Sequence, residues 1–489
     1  MRKKHSRNVL LLLLSALMVC GCFYGCNSDK NTETETGDSS ENVGTETTET
    51  PYVLPTADLG AEEMVILSPY GKIWQFDSTW HYNSDELNAG LFKRDKKVED
   101  VLNCTIQMEY VEGSNIAEQF TTKLEAEMLA QTGAYDVVYA ETANGLDFKG
   151  YFNNLLDSDL SAVLALDEPF FFQSWNDTAT INDVLVSAMS YGSVEMMSSA
   201  TVTIFNHDWW RSLFEGNIYD YVYDGSWTLD VMQEMGVAAN IDQDGQGLNT
   251  ASGDKFGICY LTHQGRGMFY SLGGRFFTKN GNGELEYDLV SDKNIQVFGK
   301  LYDFLNKNET LFAPGYTESS PVFLSEQALF VLGYFDAAKV FKKSGSMDFG
   351  FLPNPKLDTT QKDSVSTISG GACFSIPKTA SNKVNSGIFL NAYSYYSYDM
   401  VRPAYFDSLL KVQLSKDQDS ANMVDLVMNN LYVDFAYIHN SALGGISDQY
   451  FNLIRNKKEG QFVSTYLGFM DSYEANLETL LADFIANNG

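Results

Sequence analysis

The chain of 489 residues is strongly acidic, with 64 Asp and Glu against 33 Lys and Arg and a formal net charge of −31. Such a balance repels nucleic acid and anionic lipid headgroups, so polyanionic partners are excluded unless a local basic pocket exists. A hydrophobic share of 44% is ordinary for a globular protein, the aromatic share of 13% is high, and the length suits two lobes better than one core.

The first residues form a unit of their own. Arg2, Lys3, Lys4 and Arg7 precede an apolar run from Val9 to Val19. A basic stretch followed by about eleven apolar residues is too short for a mature membrane span and reads as a secretory signal. Val19-Cys20-Gly21-Cys22 resembles a bacterial lipoprotein box. That resemblance implies removal of residues 1–21, diacylation of Cys22 and a lipid-anchored, extracellular position on the outer face of the cytoplasmic membrane. Cys26, behind Gly25, is the reserve acylation site, and Cys20, behind bulky Val19, is a poorer one. The alternative is an ordinary signal peptide with incidental cysteines. Residues 22–57 then comprise the acylated cysteine and a tether rich in Thr, Glu, Ser, Gly and Asn. Such a segment buries too little surface to offset its ordering entropy. A flexible chain of this length reaches on the order of 30 Å.

In the body, residues 64–67 form a short apolar run suited to a buried parallel strand. Leu87, Leu91, Val98 and Leu102 then fall near one helical face, and Cys104, Ile106, Met108 and Tyr110 alternate as a second strand. Asn115 with Glu118 fits a capping box for a helix carrying Ile116, Phe120, Leu124 and Met128, which Gly133 ends. Residues 135–139 give a third strand. This β-α-β-α-β order predicts a parallel sheet with right-handed crossovers, whose ligands sit beyond the carboxyl ends of the strands. Residues 69–82 and 140–144 are therefore expected at the mouth of a cleft. Cys104, Cys259 and Cys373 lie in apolar surroundings and read as buried thiols, not as a disulfide framework.

Several weak motifs follow in a recognisable order. Gly133 to Val138 resembles a "yDvv" strand, Thr203-Ile204-Phe205-Asn206-His207-Asp208 a "lyYNkd" crossover, and Ser226-Trp227-Thr228 with Met232 a "tWdel" helix start. Gly273-Gly274-Arg275-Phe276 with Asn280-Gly281 resembles a "GG…dG" hairpin. Residues 323–333, 350–355 and 370–377 resemble the later helix-and-strand, "plP" and hinge-return segments. Over about residues 60–440 the chain resembles the extracellular solute-binding proteins of carbohydrate ABC transporters, the maltose-binding-protein-like family. Glu326-Gln327 replaces the usual Gly-Lys, and residues 164–200 form an unusually long segment before the crossover.

The resemblance implies an α/β, two-lobed, periplasmic-binding-protein-like (type II) fold with a hinge and an interlobe ligand cleft. Lobe 1 is expected to comprise residues 58–204 plus about 370–405, and lobe 2 residues 205–369 plus about 406–489. It implies hinge closure of a monomer on a carbohydrate, delivered to ABC permease subunits in the membrane, without catalysis. Ring faces would lie on aromatic planes and hydroxyls would meet short polar side chains. The candidate ligand contacts are Trp74, Asp77 and Trp80 after the first strand, Glu141 after the third, Trp209, Arg275, Tyr334, Asp336, and Gly371 beside Gly370 at the hinge. Each aromatic among them has the alternative fate of packing against its own lobe.

No cofactor is required by this reading, but one segment suggests structural calcium. Asn240, Asp242, Asp244 and Gln246 around Gly245 alternate as in the first half of an EF-hand loop. Ala251 stands where the closing glutamate belongs, which leaves Asp254 to close a longer loop, or the whole as a polar turn. The chain has no P-loop, zinc-type His-Glu-x-x-His or nucleophile elbow. His5, His81, His207, His263 and His439 are scattered. A secreted polysaccharide-degrading enzyme with spatially paired carboxylates, and an adhesin or sensor on the same fold, are the rival readings.

Overall fold

The computed structural model describes residues 52–112, 116–141, 145–248, 253–260, 264–281, 283–307, 311–312, 322–338, 348–368, 371–410 and 418–488. Cys20, Cys22, Cys26, the tether through residue 51, Asn115, residues 142–144, Ala251, His263 and Gly370 lie outside the described residues. In chain order the strands are β1 Glu62–Pro69, β2 Cys104–Val111, β3 Val137–Glu141, β4 Thr201–Asn206, β5 Phe256–Tyr260, β6 Phe277–Lys279, β7 Leu285–Tyr287, β8 Leu311–Phe312, β9 Ala328–Tyr334, β10 Phe349–Leu352 and β11 Ala372–Ser375.

The first sheet has the order β11-β3-β1-β2. β1 runs parallel to β2 and β3, and β11 returns antiparallel on β3, with Ala372 opposite Glu141. The predicted β-α-β-α-β unit is thus present. Its first helix, Asp85–Leu102, starts where the Ser84 side chain accepts the Leu87 N–H and ends at Asn103 in the left-handed region. Leu87, Leu91, Val98 and Leu102, spaced for one helical face, are all buried.

The second sheet has the order β10-β4-β9-β5-β8. β4 lies antiparallel to β9 and β10, while β5 is parallel to β9 and β8. All of β4, from Thr201 onward, belongs to this second sheet. Backbone pairing ties together the two connections between the sheets, the first of which contains the short helix Val194–Ser199. Ala188 exchanges 2.9 Å backbone hydrogen bonds with Phe374, and Thr201 N–H donates to Thr367 O at 2.8 Å. The fold is therefore the expected two-lobed α/β arrangement with a paired hinge.

Two boundaries differ from a reading of local pattern alone. Tyr52, inside the expected tether, packs its ring 5.3 Å from Phe170 and 5.9 Å from Tyr395, and its hydroxyl accepts from Asn391 Nδ2. The terminal helix, Phe462–Asn488, buries Phe462 and Tyr466 against Phe298 and Phe276 of the second lobe. Its last residues reach the first: Asn487 and Asn488 donate to the carbonyls of Phe148 and Asp147. Among the described residues no helix is long and apolar enough to cross a membrane.

Close backbone approach makes one glycine indispensable. A Cβ on Gly257 in β5 would lie 2.0 Å from the carbonyl oxygen of Gly236, in the helix Leu229–Ala239 packed on that strand. The obstructing atoms are backbone and cannot rotate away. Gly257→Ala is expected to cost about 3 kcal/mol, the upper range for overpacking, as measured by urea unfolding. A variant of unchanged midpoint would show that helix and strand separate freely.

Candidate functional site

The carboxyl end of β3 opens onto a cavity of about 490 Å³ between the lobes. From the first lobe it is lined by Glu141, Phe148, Trp175 and Glu195; from the hinge by Ile368 and Gly371; from the second lobe by Tyr437, Asn440, Ser447 and Asp448 among others.

Its first wall is built on an ion triad. Lys72 lies in the short turn Tyr70–Gln75 after β1, Glu141 is the last residue of β3, and Glu195 opens the helix Val194–Ser199. Lys72 Nζ stands 2.7 Å from Glu141 Oε1 and 2.5 Å from Glu195 Oε1. Burial lowers the Lys72 pKa, but the two carboxylates outweigh it and leave the pKa raised. Buried Gln75 fixes the geometry: its Oε1 accepts the Glu195 N–H at 2.7 Å and the Tyr139 hydroxyl at 3.1 Å. Tyr139 is in turn 2.6 Å from Ser193 Oγ, the cap of the Glu195 helix.

Aromatic surface comes from both lobes. Trp175 is buried, and its indole N–H donates to Ser187 O at 3.1 Å. Phe148 stands edge-on to His439, with centroids 5.0 Å apart. Burial pushes the His439 pKa down to about 3, so this imidazole is neutral at physiological pH. Beneath Phe148, burial pushes Asp147 up to about 7, against one hydrogen bond from Ser187 Oγ at 3.3 Å.

The second-lobe wall follows the short helix Phe435–Ile438, capped by Asp434. Asp434 also accepts the Phe276 N–H, and burial pushes its pKa up to about 6. Beyond the helix, Asn440 donates to Asp448 Oδ2 at 3.0 Å and accepts the Ser447 N–H at 2.8 Å. Ser447 Oγ lies 2.7 Å from the Tyr270 hydroxyl.

Of the residues the sequence nominated as ligand contacts, Glu141 and Gly371 line this cavity. The others are placed elsewhere, most of them by packing within their own lobe. Trp74 packs against the first-lobe core. Asp77 closes a turn by accepting from the Thr79 N–H and hydroxyl. Trp80 meets the rings of His81 and Tyr82. Trp209 is buried in the second lobe under Lys255. Arg275 stacks 3.6 Å over the Tyr432 ring, donates to two backbone carbonyls, and lines a smaller cavity of about 310 Å³. Tyr334 ends β9 opposite Thr201, and Asp336 follows it near the buried Tyr405.

Lys72, Trp175, Glu195, Tyr437 and Asp448 were not nominated. Lys72 carried a signal, since it lies in the loop expected at the cleft mouth. Trp175 and Glu195 lie in residues 164–200, whose short elements show no period to place them.

The loop nominated for calcium brings Asp242, Asp244 and Asp254 together, one oxygen of each within 4.8 Å of the others. Asn240 is drawn off, its Oδ1 accepting the Gly257 N–H at 3.0 Å. Gln246 takes part through its N–H, which donates to Asp244 Oδ1. If the loop takes calcium, millimolar metal raises the unfolding midpoint of the wild type and leaves Asp254→Asn unmoved; equal midpoints with and without metal identify a polar turn.

Two α/β lobes, a paired hinge and a cleft at the strand ends define the two-lobed substrate-binding fold. No family model matches the sequence, and no curated protein matches it. Among solved structures, a cyclo/maltodextrin-binding protein complexed with maltotetraose is similar over 87% of this chain and 96% of its own, with a TM-score of 0.53 at 14% identity. The ABC substrate-binding protein Lmo0181 from Listeria monocytogenes, in complex with cycloalternan, covers 87% and 98%, with a TM-score of 0.49 at 13% identity. At such identity the likeness to the first is one of fold.

Proposed function

We propose that the protein is a lipid-anchored extracellular receptor that captures a sugar or oligosaccharide between its lobes and hands it to an ABC permease, without turnover. The observation that carries this reading is the interlobe cavity, whose lining brings the aromatic residues Trp175, Phe148 and Tyr437 together with the acceptors Glu141, Glu195 and Asp448. Sugars present that same pairing of apolar ring faces and hydroxyl donors. The similar maltodextrin-binding protein, complexed with maltotetraose, supports a sugar as the class of ligand. Closure would gain contacts to both walls at once, which biases the hinge toward the closed state. Acylation at Cys22 and the polar tether would hold this monomer at the outer face of the membrane, within reach of permease subunits.

The test is thermal unfolding of the purified protein against a panel of neutral mono- and oligosaccharides. Ligand at about a hundred times its dissociation constant adds about 2.7 kcal/mol, a readily measured rise in midpoint. A rise with one sugar class, and no product released on long incubation, is the expected result. A flat response across the panel, or steady hydrolysis, would overturn it.

A further inference from the structure

The helix that carries Trp175 to the cleft is held from the opposite lobe. It spans Gln173–Ala179, and the last carbonyls of a helix find no partner within it. Thr180, the cap residue, turns its N–H and its hydroxyl to Asn176 O at 3.0 and 2.6 Å. The next carbonyl, Asp177 O, receives Lys279 Nζ, which also donates to Thr180 O at 3.4 Å. Lys279 ends β6, in the strand pair β6-β7 of the second lobe. A cation in that place suits the negative end of the helix.

One face of the same helix grips the second-lobe wall. Ser174 and Thr178, spaced to share that face, take both backbone groups of Val433. Ser174 Oγ accepts the Val433 N–H at 3.2 Å, and Thr178 Oγ1 donates to the Val433 carbonyl at 2.9 Å. Val433 and Trp175 both line the cleft cavity, so its two walls are bonded to each other beside it. The seam is not packed core. The smaller cavity of about 310 Å³ lies on it, with Asp177 and Thr178 on one side and Arg275, Lys279 and Tyr432 on the other. Burial lowers the Lys279 pKa, against the attraction of the Asp177 carboxylate. Polar bonds beside a void can be exchanged for bonds to water at modest cost, so a seam held this way can part.

We propose that Lys279 is a latch between the lobes, a positioning residue that caps the Trp175 helix from the far side and holds the two cleft walls together. Lys279 stands outside the cleft cavity, on the smaller one. It therefore acts on affinity through the closed arrangement and not through a bond to the ligand. The consequence for sugars rests on the sugar-capture reading above; the latch itself does not.

The experiment is hydrogen exchange of the full, ligand-free chain, read by mass spectrometry on overlapping peptides across Val433. The Val433 N–H is protected by Ser174 across the seam, whereas the His439 N–H bonds Phe435 O within the second lobe. In Lys279→Met, which keeps the apolar stem and loses the donors, Val433 is expected to exchange about tenfold faster, as for loss of a hydrogen bond from a charged group. His439 is expected to keep its rate. Lys279→Arg restores a cation and is expected to restore most of the protection. Titration with the sugars of the panel is expected to show one common loss of affinity in Lys279→Met, up to about tenfold, whatever the sugar. Thr178→Val, which keeps the shape and removes a hydroxyl from the same seam, is expected to speed Val433 likewise and serves if Lys279→Met does not fold. Equal Val433 exchange in the wild type and the folded variant overturns the latch. Faster exchange at both amides makes Lys279 a brace of the whole fold and also overturns it. A loss that differs from sugar to sugar makes Lys279 a ligand contact and overturns the positioning role. Exchange needs no sugar, so if none binds, sugar capture falls and Val433 still decides the latch.

Discussion

Trp175→Ala is expected to lose about 3–5 kcal/mol of stability, the range for truncating a large buried aromatic, and with it most of the affinity for sugar. Both effects have one origin. Trp175 is 1% exposed in the first-lobe core, yet its side chain also forms part of the cleft wall. It sits against the hinge return: a Cβ added to Gly371 would meet the Trp175 ring at 3.7 Å. Truncation removes packing beneath the hinge, takes the donor from Ser187 O, and enlarges the cavity on its aromatic side. Against the 5–15 kcal/mol that holds a typical domain, the loss is large but not fatal. Urea unfolding gives the first quantity, and titration with the best sugar from the panel, at a temperature where the variant is folded, gives the second. Trp175→Phe separates them, since it restores most of the buried volume but not the indole N–H. An alanine variant that is destabilised yet binds with unchanged affinity would make Trp175 a core residue that merely borders the cleft.

The contrast between Trp175 and the tryptophans chosen from the sequence shows where pattern reading stops. β2 and the helix Asp85–Leu102 were legible because each carries a local period that its buried face must obey, and β1 because a short apolar run suits a strand buried on both faces. The buried thiols Cys104, Cys259 and Cys373 were legible too, because an apolar neighbourhood along the chain became an apolar neighbourhood in space. A cleft residue has no such period. Trp74 and Trp80 occupy the right loop, but the side chain that reaches across it to Glu141 and Glu195 is Lys72. Glu195 is set by Ser193, Gln75 and Tyr139, from three separate stretches of chain. Much of the aromatic excess goes into the second-lobe core, where Phe269 stacks on Phe276 at 4.7 Å and on Tyr450 at 4.4 Å. Composition alone cannot divide rings between core and cleft.

Asp147 ties stability to pH through the same wall. Its carboxyl is 6% exposed, and burial raises its pKa from 3.8 to about 7. Between those values the folded protein keeps a proton that the unfolded chain has released. Its contribution is therefore fully present below about pH 4 and is lost as pH rises through about 7. At about 1.4 kcal/mol per unit, the whole span is worth about 4 kcal/mol. Asp434 acts in the same direction over a shorter span, ending at about 6. His439 acts in the opposite one: buried and neutral, with its pKa pushed down to about 3, it costs stability as pH falls below 6.5. Asp147→Asn keeps the shape and removes the titration. Relative to wild type it is expected to gain up to about 4 kcal/mol at about pH 8 and little at about pH 4, measured by urea unfolding across that range. The Asp434 and His439 slopes should persist in the variant. A difference between the two proteins that stays constant with pH would show that Asp147 is already ionised in the fold. The position gives the slope a functional edge. Asp147 precedes Phe148 on the cleft wall, and its carbonyl holds Asn488 of the terminal helix. The titration therefore acts at the point where that helix, rooted in the second lobe, meets the first.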